Sequence, residues 1–168
     1  NDGSANSGTA SATITILAIN DAPVTTDVTG SGNEDSIITT ILTATDPDNS
    51  DPNSFTFSII SLPLYINDYV GIASYTYSSG IFSAVATYTH DGSENYSDSF
   101  TYIANDGMDD SNASTATITI TPVNDPTVAQ DVNGSGIEGG TVSTTLTATD
   151  PDNSNINDFT FEIVSDPS

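Results

Sequence analysis

The chain has no lysine and no arginine in 168 residues, against 23 aspartates and glutamates, so its formal charge is −23. Acids without an internal counter-ion repel one another and oppose compaction. Nothing in the chain can neutralise phosphate, which excludes nucleic acid and anionic lipid surfaces as partners. Cysteine is also absent, so neither a disulfide nor a thiolate metal site can form. Histidine occurs once, as His90. A lone loop histidine is expected to be solvated, and by itself it supports neither a Ser-His-Asp triad nor a transition-metal site. No apolar run approaches the ~20 residues of a membrane span, and no direct membrane insertion is expected. No leader pattern is visible at the start. The chain opens in mid-pattern and is expected to be part of something larger.

What is present must hold a fold together against this charge. Hydrophobic residues make up 35% of the chain, and seven tyrosines and six phenylalanines can anchor a core. Positive charge has to come from outside. The simplest source is a hard divalent cation such as Ca²⁺, held by carboxylate and carbonyl oxygens. The distribution of the acids therefore decides the reading.

The chain repeats itself. Asn1-Asp2-Gly3 returns at 105, Thr43–Ser50 (TATDPDNS) at 147, and Phe55–Ile59 (FTFSI) at 159 as FTFEI. Every offset is 104, and residues 1–64 laid on 105–168 without a gap match at 35 of 64 positions. The expected organisation is the C-terminal part of one repeat at 1–20, a complete repeat at 21–124 and the start of another at 125–168. The Asn-Asp pairs before Pro23 and Thr127 mark the boundaries as turns.

The local patterns read as β throughout. Ala12, Ile14 and Ile16 alternate with threonines, as do Ala116, Ile118 and Ile120, the period of a half-buried strand. Further strands are expected at 37–44, 55–60, 72–78, 81–88, 99–104 and 141–148. Corresponding residues of the copies, Ile14 with Ile118 and Phe57 with Phe161, are expected to occupy equivalent places. The glycines of the Gly-Ser-Gly motifs read as turns. About seven short strands per 104 residues predict an all-β fold, a tandem antiparallel β-sandwich of immunoglobulin or cadherin type.

The acids fall into recurring groups. Asp46 and Asp48 end a predicted strand and return as Asp150 and Asp152. Two carboxylates spaced D-x-D on a turning loop can converge on one cation. Asn20-Asp21 returns as Asn124-Asp125, and Glu34 as Glu138; Asp91, Glu94 and Asp106 lie between. This order of a Glu, ATDPDNS with its F-x-F strand, an acid pair, Asn-Asp-Gly, TATITI and Asn-Asp-x-Pro resembles cadherin repeats, and more closely the cadherin-like tandem repeats of large bacterial surface adhesins. The resemblance spans the chain. It implies Ca²⁺ at the joint between successive repeats. One joint would use Glu34, Asp91, Glu94, Asn124, Asp125, Asp150 and Asp152, with Asn157 as a further oxygen. The other would use Asn20, Asp21, Asp46, Asp48 and Asp106, with Asn53. Two departures stand out. The linker carries a single Asn-Asp in place of a longer acidic run, and Glu94 falls one residue late where Asp91 falls in place.

The expected function is mechanical. The chain would be an extender or stalk segment of a giant secreted or cell-surface adhesin, stiffened by calcium where repeats meet, with neighbouring repeats of the same chain as partners. No enzyme activity is expected, since the carboxylate pairs sit in Pro- and Asn-rich turns. Two other readings stand beside it. One is a subunit of an extracellular filament, joined to other copies by strand addition. The other is a glycan- or cell-binding module. Asn95, Asn112 and Asn133 head Asn-x-Ser sequons.

Overall fold

The computed structural model of the chain describes residues 1–165; residues 166–168, at the end of the third expected copy, lie outside the described residues. Eight strands between Val24 and Thr121 form two four-stranded sheets. In chain order they are β1 (Val24–Thr25), β2 (Val28–Asn33), β3 (Ile37–Thr45), β4 (Thr56–Ser61), β5 (Gly71–Ser78), β6 (Ile81–Thr89), β7 (Ser97–Asn105) and β8 (Ser114–Thr121). One sheet has the order β1-β3-β6-β5 and the other β2-β8-β7-β4. Neighbours are antiparallel except β2 and β8, which run parallel. The chain changes sheets at Thr26-Asp27, so its first strand is split between the two layers. This is an immunoglobulin-like sandwich.

Alternation builds the core. Ile38, Leu42 and Ala44 of β3 face Phe100, Tyr102 and Ala104 of β7 and Ala116, Ile118 and Ile120 of β8 across the layers, and all are buried. Phe55, just ahead of β4, stacks on Phe82 of β6 with ring centroids 3.8 Å apart. Tyr102 is wholly buried, and its hydroxyl donates to the carbonyl of Thr26 at 2.6 Å. That bond ties down the backbone where it crosses between sheets.

The first Gly-Ser-Gly motif is strand, not turn. Gly30 and Gly32 lie in β2. A Cβ on Gly32 would come within 2.6 Å of Ile38 Cγ1, and one on Gly30 within 2.9 Å of Ile118 Cδ1. Only glycine lets this edge strand lie so close over both sheets.

The third copy repeats the first steps of the fold. Strands β9 (Val128–Gln130) and β10 (Thr147–Thr149) pair antiparallel, Val128 opposite Thr149. Shifted by 104, that is the Val24–Thr45 pairing of β1 with β3. The Thr40 hydroxyl bond to the carbonyl of Thr29, 3.1 Å, returns as Thr144 to Asn133 at 3.2 Å. The strand expected at 141–148 is reduced to Thr147–Thr149, and that expected at 12–16 does not form. Its equivalent, β8, needs β2 on one side and β7 on the other, and residues 1–20 find neither. Ile14 is accordingly 84% exposed where Ile118 is 0%. Phe161 is likewise 45% exposed where Phe57 is 5%.

His90 also departs from expectation. It is wholly buried, because the inward alternation of Phe82, Ala84, Ala86 and Tyr88 carries one step past the end of β6. Its Nδ1 accepts the N–H of Gly92 at 3.2 Å.

Candidate metal centre

Three carboxylates from distant parts of the sequence converge beside the 122–126 linker. Glu34 comes from the turn between β2 and β3, Glu94 from the loop between β6 and β7, and Asp152 from the loop after β10. Each offers an oxygen within 4.8 Å of the others. Oxygens bound to one calcium about 2.4 Å away lie at most about 4.8 Å apart, so the spacing fits a single ion. The chain supplies no lysine or arginine to neutralise them.

Each side chain is placed by its own local structure. Glu34 is 4% exposed. Its backbone N–H continues the β2–β8 ladder to the carbonyl of Thr121 at 3.1 Å. Its Oε1 accepts the N–H of Val123, while its Oε2 is buried without a partner. Glu94 follows a tight turn in which Asp91 Oδ1 accepts the N–H and hydroxyl of Ser93. That turn folds Asp91 onto its own loop and carries Glu94 to the cluster, where Oε1 is buried and unpartnered. Asp150 is an N-cap-like turn residue: its Oδ1 accepts the N–H groups of Asp152 and Asn153, both at 3.0 Å. Its Oδ2 takes the Thr127 hydroxyl at 2.6 Å. Asp152 Oδ2 accepts the N–H of Asp125 at 2.5 Å, which ties the D-x-D loop to the linker.

The electrostatics record the crowding. Glu94 is pushed above the usual carboxylate range by desolvation, then by Asp152, Glu34 and Asp125. Asp125 is pushed up by desolvation, then by Asp152, Glu34, Asp35 and Asp150. Asp91 instead lies below the usual range, mainly because Ser93 donates its hydroxyl to it. Two buried acceptor oxygens without donors, in a crowd of carboxylates, fit a hard cation and its oxygen preference.

The set expected around residue 20 assembles as its half of a similar arrangement. Asp48 Oδ2 accepts the N–H of Asp21 at 2.7 Å, and Asp46 Oδ1 accepts those of Asp48 and Asn49. These bonds repeat those of Asp152 and Asp150 at offset 104. Asp46 Oδ2 is buried and unpartnered. Asn20 donates to Asp106 Oδ2 and Asp109 Oδ2, both at 2.9 Å. Bonds from the Asp109 and Met108 N–H groups and from Asn20 hold Asp106 below its ordinary range, the Asp109 bond most of all. Of the remaining expected residues, Asn124 donates to the carbonyl of Asp125. Asn53 bonds Asp51, and Asn157 bonds Asn155, each within its own loop.

Two residues near these sites escaped the sequence reading. Asp109 and Asp35 correspond to Ala5 and Gly139 in the other copies, so a search for recurring acids passes over them. Glu94 has no second copy in this chain either.

A protein-family comparison matches residues 20–121 to the bacterial Ig domain, Big_9. The chain belongs to the bacterial Ig domain family. Domains of this family are typical of extracellular and surface proteins. A comparison with curated proteins finds no matching sequence. Among solved structures, this bacterial Ig chain is similar to an endo-fucoidan hydrolase, MfFcnA4, of glycoside hydrolase family 107. Identity is 16% and the TM-score 0.44, over 61% of this chain and only 14% of that one. It is also similar to an ASH/PapD-like domain of human CEP192, at 9% identity and TM-score 0.36, over 70% of this chain and 99% of that one. Tandem Ig repeats of Dlar match at 12% identity and TM-score 0.28, over 68% of this chain and 56% of theirs. Likenesses this distant carry no argument about activity. Among the described residues, no helix is long and apolar enough to cross a membrane.

Proposed function

We propose that this chain is an extender segment of a large extracellular or cell-surface protein, a non-enzymatic stalk of cadherin-like repeats whose joints are locked by calcium. The observation that carries the proposal is the convergence of Glu34 and Glu94, from the complete sandwich, with Asp152, from the next copy, around a place that holds no positive side chain. Without a cation, these acids repel across a short linker and the joint hinges. A bound cation supplies the missing charge, and the same residues then hold two bodies at one angle. Glu34, Glu94 and Asp152 would be its direct ligands, with Asp125 and Asp150 placing the loop and linker. Its partners are the neighbouring repeats of the same chain. Extracellular calcium at millimolar level suffices even for sites of ~10⁻⁴–10⁻³ M affinity.

Small-angle scattering on several whole repeats tests this directly. With Ca²⁺ the particle should be rod-like; in EDTA it should be shorter and more variable. Equal extension in both conditions would refute calcium locking. An equal response to NaCl at matched ionic strength would reduce the effect to screening.

A further inference from the structure

We propose that the outer face of the β2-β8-β7-β4 sheet carries a binding groove for a neutral oligosaccharide, walled by the loop after β4 and floored by hydroxyls of β7 and β8. Residues 61–65 rise over the sheet and enclose a groove of about 540 Å³, within the range of small-ligand sites, roughly 300–1,000 Å³. The loop is anchored by Asp98 of β7, which is 7% exposed. Its Oδ1 accepts the N–H of Leu64 at 2.9 Å and that of Ser99 at 2.7 Å, and its Oδ2 accepts the N–H of Tyr65 at 3.0 Å. Pro63 is buried between two leucines that are held outward, Leu62 at 58% and Leu64 at 76% exposure. The repeat does not require them. At offset 104, Ser61 and Pro63 return as Ser165 and Pro167, while Leu62 becomes Asp166 and Leu64 becomes Ser168. A pinned pair of exposed leucines beside a groove, absent from the next copy, fits binding better than folding.

The lining selects the ligand. Ser99, Thr115 and Thr117 form the floor, with Ser99 directly opposite Thr117 across the β7–β8 pair. Each hydroxyl both donates and accepts, which matches the hydroxyls of a sugar. Leu62, Leu64 and Tyr65 offer apolar cover to the C–H face of a pyranose ring. Charge sets the class of sugar. Asp98 spends both oxygens on backbone N–H groups, and the chain has no lysine or arginine to bind a uronate or sulfate. Its charge of −23 repels such anions as well. A peptide added as a strand does not suit the floor. β7 lies between β8 and β4, and β8 between β2 and β7, so neither has a free edge for strand addition. None of the groove residues belongs to the carboxylate cluster at the joint, so the groove stands independently of the calcium reading.

Amide-resolved NMR titration of the full chain in EDTA tests the groove. The probes are maltohexaose, cellohexaose and mannohexaose as neutral chains, hexagalacturonate as an anionic one, and a proline-rich decapeptide as an extended peptide. At least one neutral hexasaccharide should bind with about millimolar affinity, moving the amides of Leu62, Leu64, Tyr65, Ser99 and Thr117. Hexagalacturonate and the peptide should leave them in place. Leu64→Ser introduces the residue type that the next copy carries there and removes half of the apolar wall. It should weaken binding about tenfold without moving the melting temperature, since Leu64 is outside the core. Four results would overturn the proposal: no response to any neutral chain, shifts confined to other amides, an equal or stronger response to hexagalacturonate or to the peptide, or unchanged binding by Leu64→Ser.

Discussion

Asp152→Asn isolates the charge at the joint. The amide keeps an oxygen for the N–H of Asp125, which now bonds Asp152 Oδ2, so the loop geometry can persist. What is lost is one of the three carboxylates within 4.8 Å of one another. A divalent ion about 2.4 Å from a carboxylate is held by about 3.5 kcal/mol even at the dielectric of water. The amide oxygen or an entering water returns roughly half of that, leaving about 1.7 kcal/mol, which corresponds to roughly 20-fold weaker calcium binding. Isothermal titration of the full chain measures the change, with Asp131→Asn as an equal charge change at an exposed position. The melting of the sandwich in EDTA should not move, because Asp152 lies outside the core between Ile38 and Ile120. Binding as tight as the wild type, or an equal loss in Asp131→Asn, would refute Asp152 as a ligand.

Three further outcomes follow from the geometry. Gly32→Ala places a Cβ 2.6 Å from Ile38 Cγ1 and should cost about 1–3 kcal/mol through overpacking, a fall in melting temperature of roughly 4–8 °C per kcal/mol. Tyr102→Phe removes the donor to Thr26 O at 2.6 Å and should cost about 1–3 kcal/mol, seen as a lower urea midpoint with an unchanged slope. In EDTA, scattering should show a less variable joint as pH falls. Glu94 and Asp125 are raised above 4.5 and 3.8, so protons favour the docked state. That stabilisation is complete below the ordinary values and is lost as pH rises through the raised ones. Saturating calcium should abolish the pH dependence, and a joint that tightens with rising pH in EDTA would contradict carboxylate crowding at the linker.

Much of this could be read from residues alone. The alternation in Ile37–Thr45 and Ser114–Thr121 identified β3 and β8, since a strand with one buried face must show period 2. The 104-residue offset is mirrored in the structure, where β9 and β10 copy the β1–β3 register. The D-x-D loops were legible because Asp46 and Asp150 make the same local bonds wherever that sequence occurs. Other features were not legible. Gly30-Ser31-Gly32 looked like a turn because glycine in a strand is justified only by what lies above it, here Ile38 and Ile118. His90 looked solvated because its burial depends on β6 continuing its alternation past Thr89.

By itself, the sequence determined the all-β class, the repeat and the uncompensated negative charge. These follow from periodicity, self-similarity and composition, which are properties of the chain before it folds. Tertiary structure decided which acids meet. Glu34, Glu94 and Asp152 are separated by some 60 residues at each step, and only the closure of two sheets and the docking of the next loop bring their oxygens within 4.8 Å. It also decided between Asp91 and Glu94, because the Ser93 bonds turn one inward on its own loop and present the other. The parallel β2–β8 pair is likewise a product of topology. Strand direction depends on how the chain crosses between layers at Thr26-Asp27, and no local pattern encodes that.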